Sequence, residues 1–406
     1  MQLAQFGARP DGGVDRQALT PAEIAARAEL VRCGRALGLE PFTDTAANLF
    51  LRLPGRDPAL APVLTGSHID TQPTGGKFDG TYGVIAAIEA VAAIVATGRR
   101  PLRAIEIVAW SNEEGCRFSP GMTGSELYVG AKGSADTAVL RDAAGIVWED
   151  AVATVLAADE GVTHRPLGRP AAAYVELHIE QGPLLERAGV PIGVVNSIQG
   201  TRRYRVQVDG QAAHAGTTDR ADRRDALLAA VRMIAAIDLA CQQPADLKMT
   251  VGLFETTPNA PSVIPERVVF SIDIRQPDDS VVERAHAAIE QIVDALAAPC
   301  SATLLPIQHN PTVTFAPAIR TQIADAAERL GIPCRTLLSA AGHDARSLNG
   351  FCPTGMIFVP CRAGLSHHPD EWAEPGDVVT GARVLTDVIW ALAEEGVADS
   401  TDGASL

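Results

Sequence analysis

Apolar residues follow two different rhythms along this chain, and the change between them divides it. Up to about residue 200, and again after 315, short apolar runs alternate with helical patterns. Apolar positions at helical spacing over 20–39 predict a helix, and Thr20, Pro21 and Glu23 give it a capped start. The runs 62–65 (PVLT), 104–110 (AIEIVAW) and 175–179 predict buried strands, and the alanine-rich 83–97 predicts a buried helix. Each strand leads into a polar motif: GSHIDT, SNEEG and EQGP. Open α/β sheets gather ligands at the C-terminal ends of their strands, which is where these motifs fall.

Past Gly200 the rhythm changes. YRVQV (204–208) alternates apolar with polar, as a strand with one wet face does. A helix over 224–238, strands over 249–254 and 268–274, and a helix over 280–297 complete a compact α+β insert. The α/β pattern then returns with a helix over 318–330, a strand over 356–359 and a helix over 375–395. The expectation is one discontinuous domain, 1–200 with 316–406, interrupted by a smaller one, 201–315. Residues 131–170 carry no motif and read as a helical cover near the site. The polar tail VADSTDGASL reads as frayed.

Composition narrows the class. The 406 residues can bury a large core, which is aliphatic, since 47% are hydrophobic and only 4% aromatic. A formal charge of −15 without a Lys/Arg cluster argues against a nucleic-acid partner. The seven cysteines are scattered with no CxxC, as for reduced thiols in a cytoplasm. The N-terminus lacks a signal pattern, and the most apolar stretch, 84–97, is interrupted by Glu89 and too short to span a membrane.

The polar motifs carry the chemistry. His68 in GSHIDT can bind a metal while Asp70 accepts its other N–H; the plainer reading is an exposed loop histidine. Asp79 in GGKFDGTYG can bridge two ions or simply mark an Asp-Gly turn. Glu113 and Glu114 in SNEEG point to opposite sides if extended, so Glu114 can bind metal while Glu113 serves as base; alternatively they form a solvated acidic turn. ELHIEQGP supplies His178, and GLSHHPDEW supplies His367, with His368 as rival. Imidazole and carboxylate donors from distant segments suit a two-metal hydrolytic site. Arg275 offers a planar fork for a carboxylate, or else pairs with Asp273. His214, between small residues, can donate to an oxyanion or be a structural histidine. Cys116 reads as packing, and His343–Asp344 in AGHDA as support for a site loop.

Together GSHIDTQPTGGKFDG, WSNEEGCRFSPGMTGS, ELHIEQGPLLE, GQAAHAGTT, PNAPSVIP, DIR, AGHDA and GLSHHPDEW resemble the hydantoinase/carbamoylase branch of the metal-dependent M20-type amidohydrolases. The resemblance runs from about Asn48 to Trp372. It implies an α/β fold: a mixed-sheet, M20-like catalytic domain with an inserted α+β dimerisation domain. It implies that His68, Asp79 and Glu114 form a first group of ligands, with Asp79 bridging, and that His178 and His367 complete the set. Glu113 is the implied base, with Asp70 and His214 also in the catalytic set; Gln181, His214, Asn259 and Arg275 match substrate-binding positions.

The implied cofactors are two divalent ions, Zn²⁺ or Mn²⁺, with Co²⁺ or Ni²⁺ also suited to the donors. The implied partner besides substrate is a second copy, joined through the insert. QPTGGKFDG resembles the members acting on N-carbamoyl amino acids and β-ureidopropionate more than the allantoate members. The alternatives are allantoate or ureidoglycolate hydrolysis, an N-acyl amidase or peptidase of the same clan, and a non-catalytic binding protein.

Overall fold

The structure, a computed structural model, describes residues 1–397; the tail from Ala398 lies outside them. The chain divides into two compact units, Met1–Asn196 with Thr314–Leu406, and Ser197–Val313.

The first unit is built on a ten-stranded mixed sheet. Its central strands lie in the order Ile105–Trp110, Val63–His68, Ala173–Ile179, Thr354–Val359, all parallel. All four are buried throughout, which is why they read as unbroken apolar runs. Antiparallel strands flank them: Leu49–Leu53 and Glu40–Thr43 on one side, Ile192–Ile198 on the other. The sequence reading missed these three.

One strand is longer than expected. Val63–His68 keeps its ladder through Gly66↔Val108, Ser67↔Ala109 and His68↔Trp110, so His68 ends a strand instead of sitting in a loop. On its other side the ladder stops at Thr65↔Val175, and His68 and His178 each lie three residues beyond that pair. The chain winds from Val63–His68 to Ile105–Trp110 on one side, then returns to Ala173–Ile179 on the other. The gap between the two histidine strands is therefore a change in winding direction, the usual binding crevice of such sheets.

Helix Thr81–Ala96 crosses these strands and packs under helix Pro375–Glu395. It is apolar on nearly every side because nearly every side is covered; Glu89 is its exposed acid. The 131–170 segment contains helix Trp148–Ala158, whose Trp148, Val152 and Val155 pack with Phe118, in the loop that follows Glu113 and Glu114.

The second unit is an antiparallel sheet in the order Lys248–Thr250, Arg267–Gln276, Gly200–Asp209, Ser301–Asn310. Helices Ala226–Ala240 and Asp279–Leu296 cover one face, with Val206, Phe270, Met233 and Ile289 in the core. The single strand expected at 249–254 is broken into Lys248–Thr250 and Phe254–Thr257, because the N–H groups of Gly252 and Leu253 turn to the Ser271 hydroxyl (3.3 and 3.0 Å).

Gly83 tests how tightly the long helix is seated. Helix propensity alone makes Gly83→Ala stabilising by about 1 kcal/mol. Here a Cβ would stand 2.3 Å from the Leu177 carbonyl oxygen. The expected outcome is a net destabilisation of about 1–3 kcal/mol in denaturant unfolding; a gain in stability would show that helix and strand can part freely.

Candidate metal centre

The rings of His68 and His178 project into the crevice with centroids 6.0 Å apart. Each Nδ1 faces a backbone carbonyl at 2.9 Å, of Asp70 for His68 and of Ile179 for His178. An Nδ1–H donated this way leaves the lone pair on Nε2, the atom a metal uses. Both Nε2 atoms turn toward Asp79 Oδ1, at 3.6 Å from His68 and 3.2 Å from His178. Gly80, beside Asp79, starts helix Thr81–Ala96 with φ 59 and donates its N–H to His178 Nε2 at 3.0 Å. A side chain there would both strain that backbone and strike His68, since its Cβ would lie 2.3 Å from Nε2.

The carboxylates of SNEEG arrive differently from the expectation. Asn112 and Gly115 take φ of 55 and 65, so Glu113 and Glu114 sit in a tight loop and not in an extended segment. Asp70 holds that loop: its two oxygens accept the Glu113 and Glu114 N–H groups at 3.2 and 3.1 Å. The role read for Asp70, facing the His68 Nδ1, is shared between its carboxylate and its own backbone. Its backbone carbonyl orients His68, while its carboxylate, 3.5 Å from Nδ1, is engaged by two consecutive amides. Glu113 Oε2 comes to 3.6 Å from His68 Nε2. Glu114 Oε2 lies 3.5 Å from His367 Nε2 and accepts the Gln72 side-chain amide at 2.7 Å.

His367 Nε2 is 3.1 Å from Asp79 Oδ2. His368 turns away, its Nδ1 accepting the Asp370 N–H at 3.1 Å. Gln181 donates to Asp79 Oδ2 at 2.9 Å and to Ser366 Oγ at 3.2 Å. The donors thus form two triplets, His68–Asp79–His178 and Asp79–Glu114–His367, which share Asp79. This partition differs from the one the resemblance implied, because Glu114 reaches His367 and not His68. Glu113 belongs to neither triplet. A third group, Glu176–His178–His343, is occupied internally: Glu176 accepts from Ser67 Oγ (2.6 Å) and Ala345 N–H (3.0 Å), and His343 Nε2 bonds Ser339 Oγ (3.0 Å).

The residues fit a pair of divalent ions. Nitrogen and oxygen donors converge, three imidazoles with two carboxylates, and the buried Glu114 Oε1 has no hydrogen-bond partner. Burial lifts the Glu113 carboxyl well above its usual range, with His68 opposing and Asp344 and Glu114 adding to the rise. Burial likewise takes Glu114 to about 7, reinforced by Asp79. Burial also acts to raise Asp79, but the imidazoles of His178, His367 and His68 around it hold it well below the ordinary carboxylate value. Burial pushes the Cys116 thiol to about 12, and its Sγ donates to the Thr71 carbonyl at 3.3 Å, as a packing residue does.

Three expected substrate contacts lie in the second unit. His214 is exposed in a short strand opposite Val263, and its Nδ1 accepts the N–H groups of Gly216 and Thr217 (3.0 and 3.2 Å), which puts the ring proton on Nε2. Asn259 is exposed with φ 57. Arg275 binds Asp273 through two bonds of 3.0 Å. Strand periodicity puts residues 273 and 275 on the face away from the core, so the pair follows from the strand itself. Sequence reasoning missed Gln72, Ser366 and Glu371 as site residues, although all three stand inside the quoted motifs.

The chain belongs to peptidase family M20/M25/M40, whose profile matches residues 64–391. Within it the chain stands with the hydantoinase/carbamoylase amidases, hydrolases of linear non-peptide amide bonds in a metal-dependent family. It is 36% identical to the allantoate amidohydrolase of Bacillus subtilis, over 96% of this chain and 95% of that one. It is also 36% identical to the N-carbamoyl-L-amino acid amidohydrolase of Geobacillus stearothermophilus, over 97% of each. A hydantoinase/carbamoylase family amidase from Burkholderia multivorans superposes with a TM-score of 0.85 at 40% identity, covering 98% of this chain and 97% of that one.

Asp70→Asn replaces one amide acceptor with a donor beneath the Glu113–Glu114 loop. The fold should survive while metal affinity falls about 10-fold or more. Calorimetric titration with Mn²⁺ checks this, and unchanged affinity would mean that other contacts hold the loop.

Proposed function

We propose that this chain is a two-metal amidohydrolase that removes the carbamoyl group from an N-carbamoyl-L-amino acid or N-carbamoyl-β-alanine. The carrying observation is that Asp79 is shared by two donor triplets while Glu113 stands outside both, 3.6 Å from His68 Nε2. Divalent ions held by those triplets supply Lewis acidity, acidifying water and polarising a carbonyl. Zn²⁺ and Mn²⁺ suit the donors best, and Co²⁺ and Ni²⁺ are compatible. Glu113 Oε2 takes the proton from the attacking water as the new C–O bond forms at the ureido carbonyl. It returns that proton to the amino-acid nitrogen as the C–N bond breaks. One water is consumed; the cleavage releases the amino acid and leaves carbamic acid, which breaks up into ammonia and carbon dioxide. A buried carboxyl with a raised pKa suits this work, because it holds the proton between the two steps.

The other residues recognise substrate. His214 Nε2–H is a donor for the developing oxyanion. Gln181 and Asn259 supply amides to the ureido group, and Arg275 exchanges Asp273 for the substrate carboxylate. The reading includes a homodimer joined through Ser197–Val313 and a cytoplasmic location. In keeping with it, all seven cysteines are free, and no helix among the described residues is long and apolar enough to cross a membrane.

A second reading, hydrolysis of allantoate or ureidoglycolate on the same centre, draws support from the equal 36% identity to an allantoate amidohydrolase. The discriminating test is ammonia release by metal-reconstituted protein from N-carbamoyl-β-alanine, N-carbamoyl-L- and D-amino acids, and allantoate. Release from N-carbamoyl compounds alone is expected; release from allantoate alone selects the second reading, and release from none rejects both. Glu113→Gln should retain both ions and lose about 10²–10⁴-fold in turnover; a metal-replete variant with full activity removes Glu113 as base. Arg275→Lys should raise KM for carboxylate substrates with little change in kcat, whereas an unchanged KM assigns Arg275 to its pair with Asp273.

A further inference from the structure

The two triplets are supported unequally. His68, Asp79 and His178 come from two strand ends and the start of a long helix, and all three are buried. His367 comes from a loop. Its side chain is 48% exposed, and its backbone has φ 56, a conformation that a residue with a side chain keeps only when its surroundings impose it.

The loop is held by Glu371, whose side chain is only 2% exposed. One carboxylate oxygen, Oε1, accepts the backbone N–H groups of both Phe78 and Asp79, at 2.9 and 3.0 Å. The other, Oε2, accepts the Ser366 hydroxyl at 2.8 Å. The Glu371 N–H closes the turn by donating to the His368 carbonyl at 3.0 Å. One buried side chain thus joins the segment bearing the bridging acid to the segment bearing the last histidine.

We propose that Glu371 is a positioning residue that sets the Asp79–Glu114–His367 triplet, and with it the binding of the second ion. The proposal rests on the two-ion reading above. Ser366 explains why a charged acceptor is needed. Its hydroxyl lies 2.8 Å from Glu371 Oε2 and 3.2 Å from Asp79 Oδ2, and it has one proton to give. With a carboxylate at 371, that proton goes to Glu371, and Asp79 Oδ2 keeps electron density for an ion. In Glu371→Gln the carboxamide oxygen can still serve Phe78 and Asp79, but its NH₂ then faces Ser366 and donates to it. The hydroxyl turns to Asp79 and competes with the ion.

The test is calorimetric titration of metal-free protein with Mn²⁺. Wild type should take up two ions. In Glu371→Gln the first should bind as in wild type and the second about 10-fold or more weaker. Adding Ser366→Ala to that variant removes the competing hydroxyl and should recover part of the loss, which a merely structural role would not produce. Glu371→Asp, too short to span both loops, should show the same selective loss and serves if the glutamine variant does not fold. Two ions bound with wild-type affinity in either variant overturn the proposal. So does equal weakening of both ions together with a lower melting temperature of the metal-free protein. Uptake of a single ion by wild type defeats the two-ion reading, and the proposal with it.

Discussion

Asp79 is a carboxylate only 5% exposed, with imidazole nitrogens of three histidines at 3.1 to 3.6 Å. Taking a carboxylate out of water costs several kcal/mol unless charge and hydrogen bonds replace the lost solvent. Much of the surrounding structure meets that requirement. The His68 and His178 strands part so that both rings reach one oxygen, and Gly80 leaves room for them. The other oxygen receives Gln181 and faces His367, and the Asp79 amide is itself tied to Glu371. The arrangement is over-determined at one atom pair, which fixes the position of that carboxylate.

A row of carboxyl groups stands around this carboxylate. Asp70, Glu113, Glu114 and Glu371 all approach it or its partners. Their occupations differ: Asp70 and Glu371 accept backbone amides, Glu114 faces His367, and Glu113 lies against His68. Identical side-chain types thus divide into distinct functions through what bonds them. Burial separates them further, raising Glu113 far above Asp79, which its histidines hold low.

The central strands were legible because both of their faces are buried, so their composition alone announces them. Ile192–Ile198 was not, since its pairing is supplied by strands far along the chain, and Ser301–Asn310 was hidden by Pro306 and by the mostly exposed residues of an outer strand. At the candidate metal centre the donor types could be read from their motifs, but their grouping into triplets could not. It depends on which side a loop turns, and the left-handed residues at 112, 115 and 367 decide that. Asp70 was read as the orienter of His68; its carboxylate stands 3.5 Å from Nδ1, and its backbone carbonyl, at 2.9 Å, is the nearer acceptor that the motif did not announce. The part of Glu371 depends on a bond to an amide 292 residues away, and no local pattern encodes such a partner.

Strand Ile192–Ile198 carries one more consequence, which concerns the order in which the protein is made. Every strand that pairs with it lies at residue 313 or beyond, on the far side of the insert. During synthesis it leaves the ribosome without a sheet partner and waits until more than a hundred further residues have been added. The insert, with its own core, can fold in that interval, while one edge of the main sheet stays open. The return strand Thr354–Val359 then enters between Ala173–Ile179 and Ile192–Ile198, closing the sheet shortly before His367 is delivered. Such long-range pairing is intrinsically slow. The complete donor set therefore exists only after the last part of the chain has docked, so an unfinished chain cannot carry the finished centre.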